Sequence, residues 1–400
     1  MGMTEQITEQ FNTYYLAYHL IHDDKFQLLH MDAKQNELWL NKKDKKSSSI
    51  IRIIQQGFDW KNHLKKDIAS VFQRVEQMKN ILSGKSIQIY NIYITKFPPV
   101  DSWEVLKKPM QLKSKKSLQM NIFYLSDQQF SEEYERLLGM LNSQINPKSE
   151  LPPAKEQKQW ISLYKYKLSS ILAAHKKNLS SIINYGKPKL TNTIIFINIF
   201  IFLLLSLNGG STNIQTLIDF GAKENSLIMN GEWWRLITSA FLHIGMIHLL
   251  MNMIALFYLG SIVEKTFGTV RFIVIYMFSI IGGSLISFTF HTNVSAGASG
   301  AIFGLFGALL FFTIVYKQVF FKTMGKNLLL LLMINIIFGI IFPGIDMGAH
   351  IGGLVTGFLT AGMLYVPNKK NIVLQFLSSL LIVISIIFFV YFGIQMNTLI

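Results

Sequence analysis

The sequence predicts a membrane all-α protein of seven transmembrane helices, preceded by a small soluble α/β domain. Three observations carry that prediction. Half of the 400 residues are hydrophobic, and the mean hydropathy is positive. The apolar excess is confined to the second half: residues 1–190 are rich in Lys and Gln, whereas 191–396 alternate long apolar runs with short polar gaps. Each run is long enough to cross the ~30 Å hydrocarbon layer as a helix.

The N-terminal elements come first. The stretches "ELWL" (37–40), "SIIRIIQQGF" (49–58), "IQIYNIYITKF" (87–97) and "LQMNIFYL" (118–125) read as strands from their β-branched and aromatic content. Between them, Leu64, Ile68, Val71, Phe72, Val75, Ile81 and Leu82 recur at helical spacing over 61–83, and 130–145 repeats the pattern. Residues 1–145 are therefore assigned to the α/β domain. Residues 146–190 are a linker and an amphipathic helix. "NPKSELPPAKEQKQ" (146–159) is the linker, and the helix over 160–185 reaches Lys187 and Lys189 at the membrane surface.

Composition excludes several classes. There is no cysteine, so neither disulfides nor thiolate chemistry are available. The N-terminus lacks a basic stretch followed by an apolar core, so no signal peptide is expected, and its Met-Gly start does not continue as an acylation motif. The net charge of +15 sits mostly on Lys before the membrane region. Attraction to anionic headgroups is the simpler reading, and no nucleic-acid partner is expected. His19, His22, Asp23, Asp24, His30 and Asp32 gather near the start. Such side chains suit divalent metals, but their spacing fits no ligand motif, and a polar helix face is the simpler reading. No metal and no cofactor is expected. Nothing in the sequence names a partner for the N-terminal domain.

Seven apolar segments follow, at 191–208, 241–262, 270–290, 299–316, 327–343, 346–366 and 371–394. With the N-terminus in the cytoplasm, the inner gaps hold Lys265, Arg271, Lys317, Lys322, Lys326, Lys369 and Lys370, and the outer gaps only Lys223 and Arg235. The excess of inner cations predicts a cytoplasmic N-terminus and an extracellular C-terminus for a multi-pass cell-membrane protein.

That topology brings polar residues of three spans to one depth. Ser299 begins the fourth segment, His350 lies near the start of the sixth, and His248 and Asn252 lie in the early turns of the second. Ionisable groups within a membrane face a protein interior or a water cavity. Gly300, Gly304 and Ala308 recur every four residues, as do Ala349, Gly353, Gly357 and Ala361. Small residues at that spacing allow backbone-to-backbone packing. A serine in a membrane helix is ordinarily a packing residue, and a lone histidine ordinarily an interhelical hydrogen-bond partner. Together at one depth they make a nucleophile and its base. Asp346, a turn before His350, is expected to point to the outer surface, which leaves a dyad. His248 and Asn252, one turn apart on one helix face, can offer donors to an oxyanion beside the Ser299 backbone N–H. His243 is expected to be a solvated cap near the interface.

The set "WWR" (233–235), "HIGMIHLLMN" (243–252), "GASG" (297–300) and "AHIGG" (349–353) resembles the rhomboid family of intramembrane serine proteases, in the long Gram-positive bacterial form. The resemblance covers 191–366, the six-helix core, with 367–400 as the seventh helix. It implies Ser299 as nucleophile, His350 as base, and His248 and Asn252 as the oxyanion pair. It also implies structural roles for Trp234, Arg235, Glu264, Gly297, Gly300 and Gly353. Trp234 and Arg235 would organise the outer loop, and Glu264 would brace inner helix ends. Phe303 departs from the tyrosine of many bacterial members. The implied activity is cleavage of transmembrane proteins near the outer leaflet, where a substrate helix unwinds and presents a small residue. Some relatives carry soluble repeats after the seventh helix; none is expected before Ile400.

Two rivals are weighed. A catalytically inactive relative that binds or chaperones membrane proteins predicts loss of the serine or histidine. A transporter predicts ionisable residues along a path through the whole membrane rather than at one depth.

Overall fold

The computed structural model describes residues 3–44, 47–79, 82, 85–112, 117–143, 145, 151–342 and 344–399. Ile81 and positions 146–150 of the expected linker lie outside the described residues, as do the side chain of Lys322 and position 343 of the fifth apolar segment. The chain divides into two units, Met1–Asn178 and Leu179–Ile400.

In the first unit, α1 (Met3–His22) precedes an antiparallel meander of β1 (Gln27–Asp32), β2 (Glu37–Lys43) and β3 (Ser47–Ile54). Helix α2 (Lys61–Met78) crosses to β4 (Ser86–Ile94), which runs parallel to β3; β5 (Met110–Leu112), β6 (Ser117–Leu125) and α3 (Phe130–Leu141) follow. The sheet order is β1-β2-β3-β4-β6-β5, with β6 parallel to β4 and β5 an antiparallel edge. One face packs on α1 and α3 through Phe11, Tyr14, Leu40, Ile53, Ile92 and Leu137. The other packs on α2 through Leu64, Ile68, Val71, Ile50 and Ile89. Strands covered on both faces are buried on both sides, and β3, β4 and β6 are buried continuously over their later residues despite Arg52, Asn91 and Asn121.

Two sequence expectations change here. The His and Asp stretch over 19–32 is not one polar helix face: α1 ends at His22 and β1 carries His30 and Asp32. His19 and His22 both place Nδ1 at 2.7 Å from Asp23. Among the described residues, no group of three or more His, Asp or Glu could hold a metal ion. The linker is also shorter than expected, because residues 154–159 already belong to α4 (Ala154–Ile183). Gln157, Ile161, Tyr164 and Leu168 recur at helical spacing and are buried; Ile161, Tyr164 and Leu168 join the core of the first unit.

In the second unit, α5 (Lys189–Leu207) is followed by the short helices α6 (Ile214–Asp219), α7 (Asn225–Met229) and α8 (Arg235–Thr238). Then come α9 (Gly245–Phe267), α10 (Thr269–Phe290), α11 (Ser299–Thr323), α12 (Gly325–Ile341), α13 (Met347–Leu364) and α14 (Ile372–Thr398). Six of the described helices are long and apolar enough to cross a membrane: α5, α9, α10, α11 over Ser299–Lys317, α13 and α14. Helix α12, the fifth expected span, has 17 residues and rises ~25 Å. Helix α11 breaks at Tyr316, where the backbone leaves the helical region (φ −131°, ψ 48°).

The glycine stripes set the centre of this unit. A Cβ on Gly353 would overlap the Gly300 carbonyl, and one on Gly357 would sit 2.5 Å from the Gly304 Cα. A Cβ on Gly283 of α10 would sit 2.7 Å from the Ala349 carbonyl oxygen. Helices α10, α11 and α13 therefore meet main chain to main chain, as small residues permit in membranes.

Candidate active site

Ser299 is the first residue of α11 and is half-buried; His350 lies in the first turn of α13 and is buried. Because the two helices touch along their glycines, the Ser299 Oγ and His350 Nε2 stand 2.8 Å apart. That is hydrogen-bond distance and within reach for proton transfer. The first N–H groups of a helix have no carbonyl partner inside it and carry the positive end of its dipole, so the Ser299 oxygen sits where negative charge is favoured.

The imidazole is held by what surrounds it. The Phe303 ring, one turn after Ser299, stacks on it. Among the described residues, no group bonds its Nδ1. Asp346 does not point to the outer surface as expected. Its Oδ1 accepts from the Ala349 N–H at 2.9 Å, capping α13, and its Oδ2 accepts from the Ser287 hydroxyl of α10. A free helix N-terminus demands such an acceptor, and Asp346 supplies it rather than orienting the histidine.

His248 and Asn252 lie one turn apart on α9. The His248 ring fills the space beside Gly297: a Cβ there would be 2.9 Å from Nε2. Gly297 also has φ +142°, which side-chain-bearing residues avoid. The Asn252 Nδ2 donates to the His248 carbonyl at 2.9 Å, leaving its second hydrogen free of that bond. Gly300 lies against Ala349 and Gly353 against Gly300, as described above.

His243 is a correction. Helix α9 starts at Gly245, whose φ of +79° turns the chain, so residues 239–244 form a 3₁₀ turn and an extended link. His243 is fully buried rather than a solvated cap. Its Nε2 accepts from the Ala298 N–H at 3.5 Å, and its ring meets that of His248 edge-on at 5.4 Å. Burial pulls its imidazole down to about 3, and His248 adds to this. It is therefore neutral and can accept that bond. Gly245 was the signal in the sequence that the helix begins after His243.

The remaining predicted residues lie at the two ends of the bundle. Arg235 is buried and donates to the carbonyls of Ile218 (2.6 Å) and Ala222 (3.0 Å) and to Glu232 (2.7 Å). Trp234 is 57% exposed, while Trp233 packs edge-on against Phe288. Glu264 is buried at the far end of α9. It accepts from the N–H groups of Leu190 and Thr191 and from the hydroxyls of Thr191 and Thr269, and so caps α5 and reaches the first turn of α10.

Comparisons with known proteins agree on one family. The model described as Rhomboid domain matches residues 230–368. Rhomboid protease GluP of Bacillus subtilis (strain 168) is 34% identical over 363 residues, covering 91% of this chain and 71% of that protein. Putative rhomboid protease YdcA of the same organism is 39% identical over 146 residues, 36% of this chain and 73% of its own length. RHOMBOID-like protein 5 of Arabidopsis thaliana is 46% identical over 101 residues, 24% of this chain and 33% of the relative.

Proposed function

The chain belongs to the rhomboid family and is a multi-pass, membrane-embedded serine protease, and from that premise we propose that it cuts transmembrane proteins near the outer leaflet through a Ser299–His350 dyad. The carrying observation is the 2.8 Å approach of the two side chains from separate helices.

The chemistry follows from that distance. A neutral His350 protonated at Nδ1 accepts the Ser299 proton at Nε2 while the serine oxygen attacks the scissile carbonyl carbon. The carbonyl oxygen becomes an oxyanion. The Ser299 N–H, the His248 Nε2–H and the free Asn252 hydrogen are the donors proposed for it, each worth about 3 kcal/mol of barrier. His350 then gives its proton to the departing amine, leaving an acyl-serine. Water, deprotonated by His350, attacks that ester and restores Ser299.

The substrates follow from the site. A helical peptide hides its carbonyls in its own hydrogen bonds, so the substrate must unwind at the cut. The glycine walls around Ser299 favour a small side chain there. Seven inner cations against two outer ones support a cytoplasmic N-terminus and an extracellular C-terminus, which puts the dyad toward the outside.

The test is a tagged single-span reporter expressed with wild-type and Ser299→Ala forms. The wild type should release a cleaved product and the variant none, with His350→Ala behaving alike. Equal product from all three would end this reading.

A further inference from the structure

Residues 291–298 link α10 to the nucleophile without regular structure of their own, so the position of Ser299 depends on what holds that segment. Lys223 holds most of it. The residue is 1% exposed. Its Nζ donates to the carbonyls of His291 at 2.5 Å and Asn293 at 3.2 Å. Its backbone forms a two-way bridge with Ser295, 3.0 Å in each direction, four residues before Ser299. The Gly297 N–H completes the attachment by donating to the Ser239 carbonyl at 2.9 Å.

Charge explains why a lysine is tolerated there. The His291 carbonyl lies just past the C-terminus of α10, where the helix dipole is negative and a cation is favoured. Asp346, which caps the helix of His350, and Glu224 act on the ammonium from the acid side. Burial pulls it down to about 8 against those two carboxylates. The ammonium thus sits on the carbonyls of the nucleophile's loop, within electrostatic reach of the carboxylate that caps the base's helix. Asn225 shares one of its carbonyl partners, with its Nδ2 3.4 Å from the His291 oxygen. The Asn225 Nδ2 reaches the Phe288 carbonyl at 3.1 Å and the Asn397 Oδ1 at 2.6 Å, and Asn397 of α14 donates back to Phe288 at 2.9 Å.

We propose that Lys223 is a positioning residue for the dyad: its buried ammonium clamps the 291–298 segment so that Ser299 is presented to His350, and the seventh helix completes the clamp through Asn397. This rests on Ser299 being the nucleophile.

The test uses the purified full chain and a fluorophosphonate, which phosphonylates an activated serine. The rate of labelling at Ser299 is measured well below the melting temperature, together with kcat and KM on the single-span reporter. Lys223→Met should slow labelling and lower kcat at least tenfold with KM unchanged. Lys223→Arg should regain part of the loss. Asn397→Leu, which leaves Lys223 in place, should slow labelling about threefold. Wild-type labelling in a folded Lys223→Met variant overturns the clamp. Should that variant fail to fold, wild-type labelling in Asn397→Leu overturns it instead. Labelling that persists in Ser299→Ala overturns the nucleophile assignment and not the clamp.

Discussion

The rings of Phe303 and His350 lie face to face, with centroids 4.1 Å apart and planes 12° from parallel. Among the described residues no group bonds the histidine Nδ1, so this stack helps to restrain how the imidazole faces Ser299. Offset aromatic pairs contribute about 0.5–1.5 kcal/mol beyond burial. Phe303→Ala should therefore lower kcat about 3- to 10-fold, while Phe303→Tyr should stay near wild type because the ring remains. Steady-state cleavage of the reporter checks this. An unchanged kcat in the alanine variant would remove the stack from the mechanism.

Asn252 should act on the transition state rather than on binding. Its amide already bonds the His248 carbonyl, which fixes its direction before substrate arrives. Asn252→Ala should lower kcat about a hundredfold with little change in KM, the pattern of a lost oxyanion donor. A rise in KM alone would assign the residue to substrate contact instead.

The glycine contact should be intolerant of volume. A Cβ on Gly357 meets the Gly304 backbone at 2.5 Å, and neither main chain can move without parting α11 from α13. Gly357→Val should destabilise the protein by about 1–3 kcal/mol or more, read as a lower melting temperature in detergent with loss of cleavage. Gly344→Ala, which meets nothing within 4 Å, should leave both unchanged. A Gly357→Val protein that melts with the wild type would refute the close packing.

The proposed orientation has a clean reporter because the sequence has no cysteine. Ile214→Cys on α6 and Lys370→Cys before α14 are both exposed positions. A membrane-impermeant maleimide on intact cells should label the first and spare the second. The opposite pattern inverts the topology and moves the dyad to the inner face.

Much of this was legible in the residues themselves. Apolar length marked the spans, and glycines every four residues marked which helices touch, because both signals are local. Depth singled out Ser299 and His350 as a candidate pair, and their side chains approach to 2.8 Å. What escaped was set by distant main chain. His243 looked interfacial because nothing next to it in sequence tells that Ala298 will come to its ring. Lys223 entered only as one of two outer charges, since the carbonyls that bury it lie about seventy residues away. Asp346 read as a surface acid because its serine partner is on another helix. In the first unit, α1, β1 and the short edge β5 were not anticipated. The sheet is covered on both faces, so period-two patterning could not locate its ends.

The helices that carry Ser299 and His350 rest on one another peptide bond to peptide bond, at Gly300 and Gly353. Outward positions of α9 such as Ile247 and Met251, which stand clear of the interior, can therefore vary without disturbing that contact.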